Sequence, residues 1–179
     1  MLEYDIMKLG LVLLLSSLLA LPISADSVGD YEGSAEFERL KSLVGSWTGK
    51  TKMDPEAPEM EITVEYRLVA GGSAIEERTF AGTPKEMVTM YHDKRGKLAL
   101  THFCMLHNQP AMLLTASDDK SISLDFDPSC EVNPKKDTHM HSLVITFVDA
   151  NTLTQKWTLY TDGKSSGEHP ITLKRVKKK

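Results

Sequence analysis

The sequence predicts a mainly β protein, an antiparallel up-and-down β-barrel of about ten strands with a short N-terminal helix. Three observations lead there. From residue 45 onward, apolar and polar residues alternate along short runs, which is the period of half-buried strands. Turn chemistry separates the runs at hairpin spacing, as in Gly82-Thr83-Pro84, Asp93-Lys94-Arg95-Gly96, Asp118-Asp119-Lys120, Asp149-Ala150-Asn151 and Asp162-Gly163-Lys164. No segment between them is long enough for the crossover helix that a parallel pair needs. Closing such a meander into a barrel removes its exposed edges.

Taken in order, the chain begins with an address. Residues 9–21 (LGLVLLLSSLLAL) form an apolar block shorter than the roughly 20 residues a membrane-spanning helix requires. Lys8 precedes the block and Ala25 closes the small-residue stretch after Pro22, so residues 1–25 read as a signal peptide cut after Ala25, with Met1 or Met7 as the start. The protein is therefore expected to be exported, periplasmic or extracellular, with no integral membrane span after processing. Residues 26–35 are small and polar, a flexible leader.

The barrel domain is assigned to residues 36–176, followed by a basic tail at 177–179. Phe37, Leu40, Leu43 and Val44 share one stripe at helical spacing, with Ser34 as N-cap and Gly45 as stop. A first strand follows at 47–53. In the next, Ile62, Val64, Tyr66 and Leu68 alternate with Glu61, Thr63, Glu65 and Arg67. Further strands are expected at 73–80, 86–92, 97–106, 111–116, 121–126, 141–148, 152–160 and 168–176. One long loop, near 127–136, holds Pro128, Cys130 and Pro134.

Charge narrows the function classes. The 21 Lys and Arg against 25 Asp and Glu give a net charge of −4, which argues against nucleic acid as a partner because phosphate neutralisation needs a clustered basic excess. Only three residues stand between Gly45 and Gly49, where a phosphate-binding loop needs four, so Gly49-Lys50-Thr51 is no such loop. There is no Gly-x-Ser-x-Gly nucleophile elbow. Glu76 and Glu77 adjoin on a strand and face opposite sides, so one of them points inward and needs a partner such as His102 or Arg78.

A helix, then Gly45-Ser46-Trp47 opening the first strand, then a β meander, resembles the lipocalin and fatty-acid-binding-protein superfamily. That resemblance implies that Trp47 closes one barrel end and that Arg175 packs across its ring. The chain is also similar to an uncharacterised bacterial family of lipocalin-like domains of unknown function, through Phe37, Leu40, Leu43, Gly45, Trp47 and Gly49. A second similar block runs over 82–92, then Leu100-Thr101-His102-Phe103-Cys104 and Asn108-Gln109-Pro110. The resemblance implies a small-molecule-binding barrel and carries no established activity.

The histidines carry the chemistry. Strand parity puts His102 with Leu98, Leu100 and Cys104 on one face, and His139 and His141 with Leu143, Ile145 and Phe147 on another. On the last strand His169 shares a face with Ile171, Leu173 and Arg175, so it too is a candidate for a shared cavity. His102, His139 and His141 could thus converge on a divalent metal. One histidine could instead hold haem axially, as the resemblance of Gly-x-Trp-x-Gly to nitrobindin-like barrels implies. The third reading is that they bond to neighbouring strands or line a polar pocket. Cys104 and Cys130 are the only cysteines, and an exported protein would permit a disulfide between them. The leading expectation is an interior that binds a small, mainly apolar molecule, lined by Tyr66, Met90, His102, Phe103 and His141, with no cofactor required. The alternative is a metal- or haem-binding barrel, enzymatic or not.

Overall fold

The computed structural model describes residues 30–52 and 56–177 of the chain. The expected signal peptide, the start of the leader and the last two lysines lie outside the described residues. Helix α1 spans Ala35–Lys41, with Ser34 as N-cap: its Oγ accepts from Phe37 N at 3.2 Å. Strands β1 (Gly45–Thr51), β2 (Met60–Val69), β3 (Ala74–Thr79), β4 (Met87–Lys94) and β5 (Lys97–Phe103) make the first half. Strands β6 (Ala111–Ser117), β7 (Ser121–Phe126), β8 (His139–Asp149), β9 (Thr152–Thr161) and β10 (Lys164–Arg175) make the second. Each strand pairs antiparallel with the next, and β1 pairs with β10, so the ten strands close a barrel.

The closing seam depends on a glycine. Trp47 to Lys50 of β1 run opposite Arg175 to Thr172 of β10. A Cβ on Gly49 would stand 2.1 Å from the Thr172 carbonyl oxygen, so only glycine lets these two backbones meet.

Alternation then fills one end. Phe37, Leu40 and Leu43 from the helical segment pack with Trp47, Ile75, Leu98 and Leu173, all fully buried. Each such side chain contributes roughly 1.5–3 kcal/mol by burial. The Trp47 indole donates to the Leu43 carbonyl at 2.8 Å. Arg175 lies over that indole ring at 4.2 Å and donates to the Val44 and Ser42 carbonyls at 3.0 and 2.7 Å. Arg39 reaches the Asp118 and Asp119 carbonyls and covers the Phe147 ring at 4.1 Å. Asp93 takes the Ser34 N–H at 2.6 Å and the Ser34 hydroxyl at 2.7 Å. The helix is thereby fastened over one barrel mouth.

Differences from the sequence reading have local causes. β5 stops at Phe103 and not 106, because the chain turns there: His107 N donates to the Cys104 carbonyl at 3.0 Å, with His107 at φ 63°. β10 starts at Lys164 and not 168, since the polar Ser165 to Gly167 stretch pairs with β9 through a bulge. β8 starts at His139 and carries a bulge between Met140 and Ser142. That bulge decides where the histidines go.

Candidate functional site

At the end away from α1, the barrel encloses a cavity of about 150 Å³. Its wall is mostly apolar, with Ile62, Phe80 and Ile171 buried, Met87, Met140 and Leu159 half-buried, and Met105 and Leu106 exposed. The polar wall is contributed by His102, Glu77, Gln155 and the indole of Trp157, together with Thr51, Thr79, His169 and the exposed Lys52.

Glu77 is the inward member of the adjoining pair, fully buried, while Glu76 faces out and pairs with Arg67. Its partner is neither His102 nor Arg78, which instead pairs with Glu86. Glu77 is held by neutral donors: the Tyr91 hydroxyl at 2.7 Å, the Gln155 amide at 2.8 Å and the Thr79 hydroxyl at 3.2 Å. Gln155 also donates to the Tyr66 hydroxyl at 2.7 Å and accepts from the Trp157 indole at 3.3 Å. Burial pushes the Glu77 carboxyl above its ordinary range, and it pushes the Tyr66 and Tyr91 phenols well up.

His102 is also fully inside. Its Nδ1 is 2.9 Å from the Thr89 hydroxyl and its ring packs on Trp157 with centroids 4.7 Å apart. Its Nε2 is closed to solvent and has no hydrogen-bond partner. Burial holds the imidazole neutral, with its pKa lowered to about 4. Cys104 shares this wall, and burial pushes its thiol up, so it is a thiol and not a ready nucleophile.

The remaining expected residues are distributed as follows. Tyr66 lies inside, beneath the cavity, as part of the Glu77 network. Met90 alternates with the buried Thr89 and Tyr91 and so faces outward. Phe103 follows inward His102 and is 46% exposed. Neither Met90 nor Phe103 lines the cavity, because strand alternation puts both on the outer wall.

His139 and His141 do not join His102. The bulge makes Met140 the residue that faces the cavity and turns His141 outward. His141 is stacked between Tyr160 and Phe126, at 3.7 and 5.1 Å between centroids. His139 links the Asp137 carbonyl, at 2.7 Å from Nδ1, to His141 Nδ1, at 2.9 Å from Nε2. His141 Nε2 stands 3.5 Å from Asp125, and burial lowers the His141 pKa more than Asp125 raises it. The expected convergence of His102, His139 and His141 on one ion is therefore not formed. Among the described residues no group of three or more His, Cys, Asp or Glu side chains could hold a metal ion. Pockets that bury a drug-sized ligand run to roughly 300–1,000 Å³, so the 150 Å³ interior is small for a haem. Cys104 and Cys130 are both free, so the expected bridge is absent, with Cys104 committed to the cavity wall and its turn.

Sequence reasoning missed Glu77's donors. Gln155 gives the signal in retrospect, as a polar residue in step with Leu153 and Trp157 on an otherwise apolar face.

The fold and cavity together define a closed ten-stranded antiparallel barrel with a small interior pocket. Several solved structures resemble it. One is Rv2717c from M. tuberculosis, at TM-score 0.53 and 15% identity, covering 82% of this chain and 100% of that one. Another is a protein of unknown function from the DUF3598 family of Nostoc punctiforme PCC 73102, at TM-score 0.52 and 15% identity. That alignment covers 76% of this chain and 48% of the Nostoc protein, about half its length. These likenesses show the fold alone. No family model matches the chain, and no curated protein does.

Proposed function

We propose that this protein is an exported, lipocalin-like barrel that binds a small, mainly apolar molecule in its interior. The observation that carries the reading is the 150 Å³ cavity, walled by aliphatic and thioether side chains, with His102 in that wall and its buried Nε2 without a partner. A cavity of this size takes about one six-membered ring, the scale at which an apolar void of similar volume holds benzene. Met87, Met105 and Met140 suit such a wall, because flexible thioethers adjust to varied shapes. Residues 1–25 supply the export signal in this reading.

Native mass spectrometry on protein purified from its own host tests both parts. The expected result is a mature chain lacking residues 1–25 that carries a small non-covalent adduct. An intact N-terminus would refute export. A protein that arrives without adduct and takes up no small apolar compound would refute interior binding.

A further inference from the structure

We propose that His102 acts in the cavity as a hydrogen-bond donor through Nε2–H, and that the ligand is a neutral molecule carrying an acceptor oxygen, of the ketone, ester or ether class. This rests on the interior-binding reading above and specifies its chemistry. Thr89 is 1% exposed, and its hydroxyl has one partner among the described residues, His102 Nδ1 at 2.9 Å. If the hydroxyl donates to Nδ1, the ring proton sits on Nε2 and a single group, Nε2–H, is left unpaired. If Nδ1–H donates to the hydroxyl instead, two groups are left: the Thr89 hydroxyl hydrogen and the bare Nε2. Buried polar groups without partners are costly, so the first arrangement is favoured. The same choice argues against a soft or divalent metal, which needs the bare nitrogen.

Charge argues for a neutral ligand. Glu77 is the acidic group of the deep wall, and its oxygens already accept from Tyr91, Gln155 and Thr79. Lys52, the one cation on the cavity lining among the described residues, is exposed. An anionic ligand at His102 would therefore lie beside the buried carboxyl and be offered one neutral N–H there, too little to replace its lost hydration. A cationic ligand would meet the N–H head on. A neutral carbonyl or ether oxygen satisfies Nε2–H once a small shift of the wall uncovers that nitrogen, which is closed to solvent in the structure, while its hydrocarbon part covers Trp157, Met140 and Leu159.

Two measurements test this. Long-range ¹H–¹⁵N correlation spectra of the histidine rings read the tautomer of His102 in the unsubstituted protein, and Nε2–H is expected. Calorimetry then compares cyclohexanone with methylcyclohexane on the unsubstituted protein, on His102→Phe and on Thr89→Val. In His102→Phe the ketone should lose about tenfold in affinity, the worth of one buried hydrogen bond, with the hydrocarbon unchanged. In Thr89→Val, which keeps the ring, the ketone should again weaken selectively. An Nδ1–H tautomer, or equal losses for both compounds, would overturn the donor assignment and leave interior binding standing. Binding of neither compound to the unsubstituted protein would overturn the interior-binding reading and this inference together.

Discussion

His102 and Glu77 are ionisable groups placed where neither charge is welcome, and they make stability depend on pH in opposite senses. Burial lowers the His102 pKa from 6.5 to about 4. Between those values the unfolded chain takes up a proton that the folded chain refuses, so this group's contribution is complete above pH 6.5 and is lost as pH falls toward 4. Glu77 has a raised pKa, so its contribution is complete below its ordinary 4.5 and is lost as pH rises through the folded value. Urea midpoints stepped from pH 7 to 4 should fall in the unsubstituted protein and flatten in His102→Phe. Gln155→Leu removes a donor from Glu77 and from Tyr66 and strands the Trp157 indole N–H. We expect a loss of roughly 2–4 kcal/mol by urea unfolding, since each unsatisfied buried group costs about 1–3 kcal/mol. Strand parity made His102 legible as an inward residue, and it made clear that one of Glu76 and Glu77 must turn in. It could not say which one, or that the partners would be neutral hydroxyls and an amide from β3, β4 and β9.

At the scale of elements, one extra residue in a strand outweighs a run of correct alternation. His139, His141, Leu143 and Ile145 read as a single face, but the β8 bulge reverses the phase between Met140 and Ser142. The reversal sends Met140 to the cavity and His141 into the stack with Tyr160 and Phe126. No residue type on β8 announces it. The first strand is the opposite case, because Gly49 is visible in the sequence and its reason is steric. Gly49→Ala should cost roughly 1–3 kcal/mol, as overpacking does, and differential hydrogen exchange should show the loss concentrated at the β1–β10 seam.

The long loop after β7 is tied down by charge. Lys94 donates to Asp127 at 2.6 Å and to Ser129 at 3.1 Å, and the ammonium holds the Asp127 carboxyl down at about 2. That contribution is present above the ordinary 3.8 and lost as pH falls through about 2. Limited proteolysis within 127–138 should therefore accelerate in acid for the unsubstituted protein. In Lys94→Met it should already be fast at neutral pH.

Over the whole molecule, the two barrel ends divide the labour. One end is packed by α1, Trp47 and Arg175 and supplies much of the core. The other keeps a void of about 150 Å³, and a void costs stability in proportion to its volume. Ile171→Phe, which adds volume from the cavity wall, should leave the melting temperature equal or higher while abolishing binding of cyclohexanone. A protein whose interior was meant only to be packed would gain stability and lose nothing measurable. In the unsubstituted protein, a compound that fits should raise the melting temperature in a concentration-dependent way.

The two-residue period and the hairpin turns were sufficient by themselves to determine an antiparallel barrel of this strand number, because alternation and turn geometry are local and repeat along the chain. The helical stripe of Phe37, Leu40 and Leu43, and the glycine at position 49, are local in the same sense. Tertiary structure alone decided which polar groups share the interior. Glu77, Tyr91, His102 and Gln155 come from four strands, and the closure and register of the barrel bring them together. It also decided that the histidine pair of β8 leaves that interior, since a bulge is a property of two strands in register and not of one sequence.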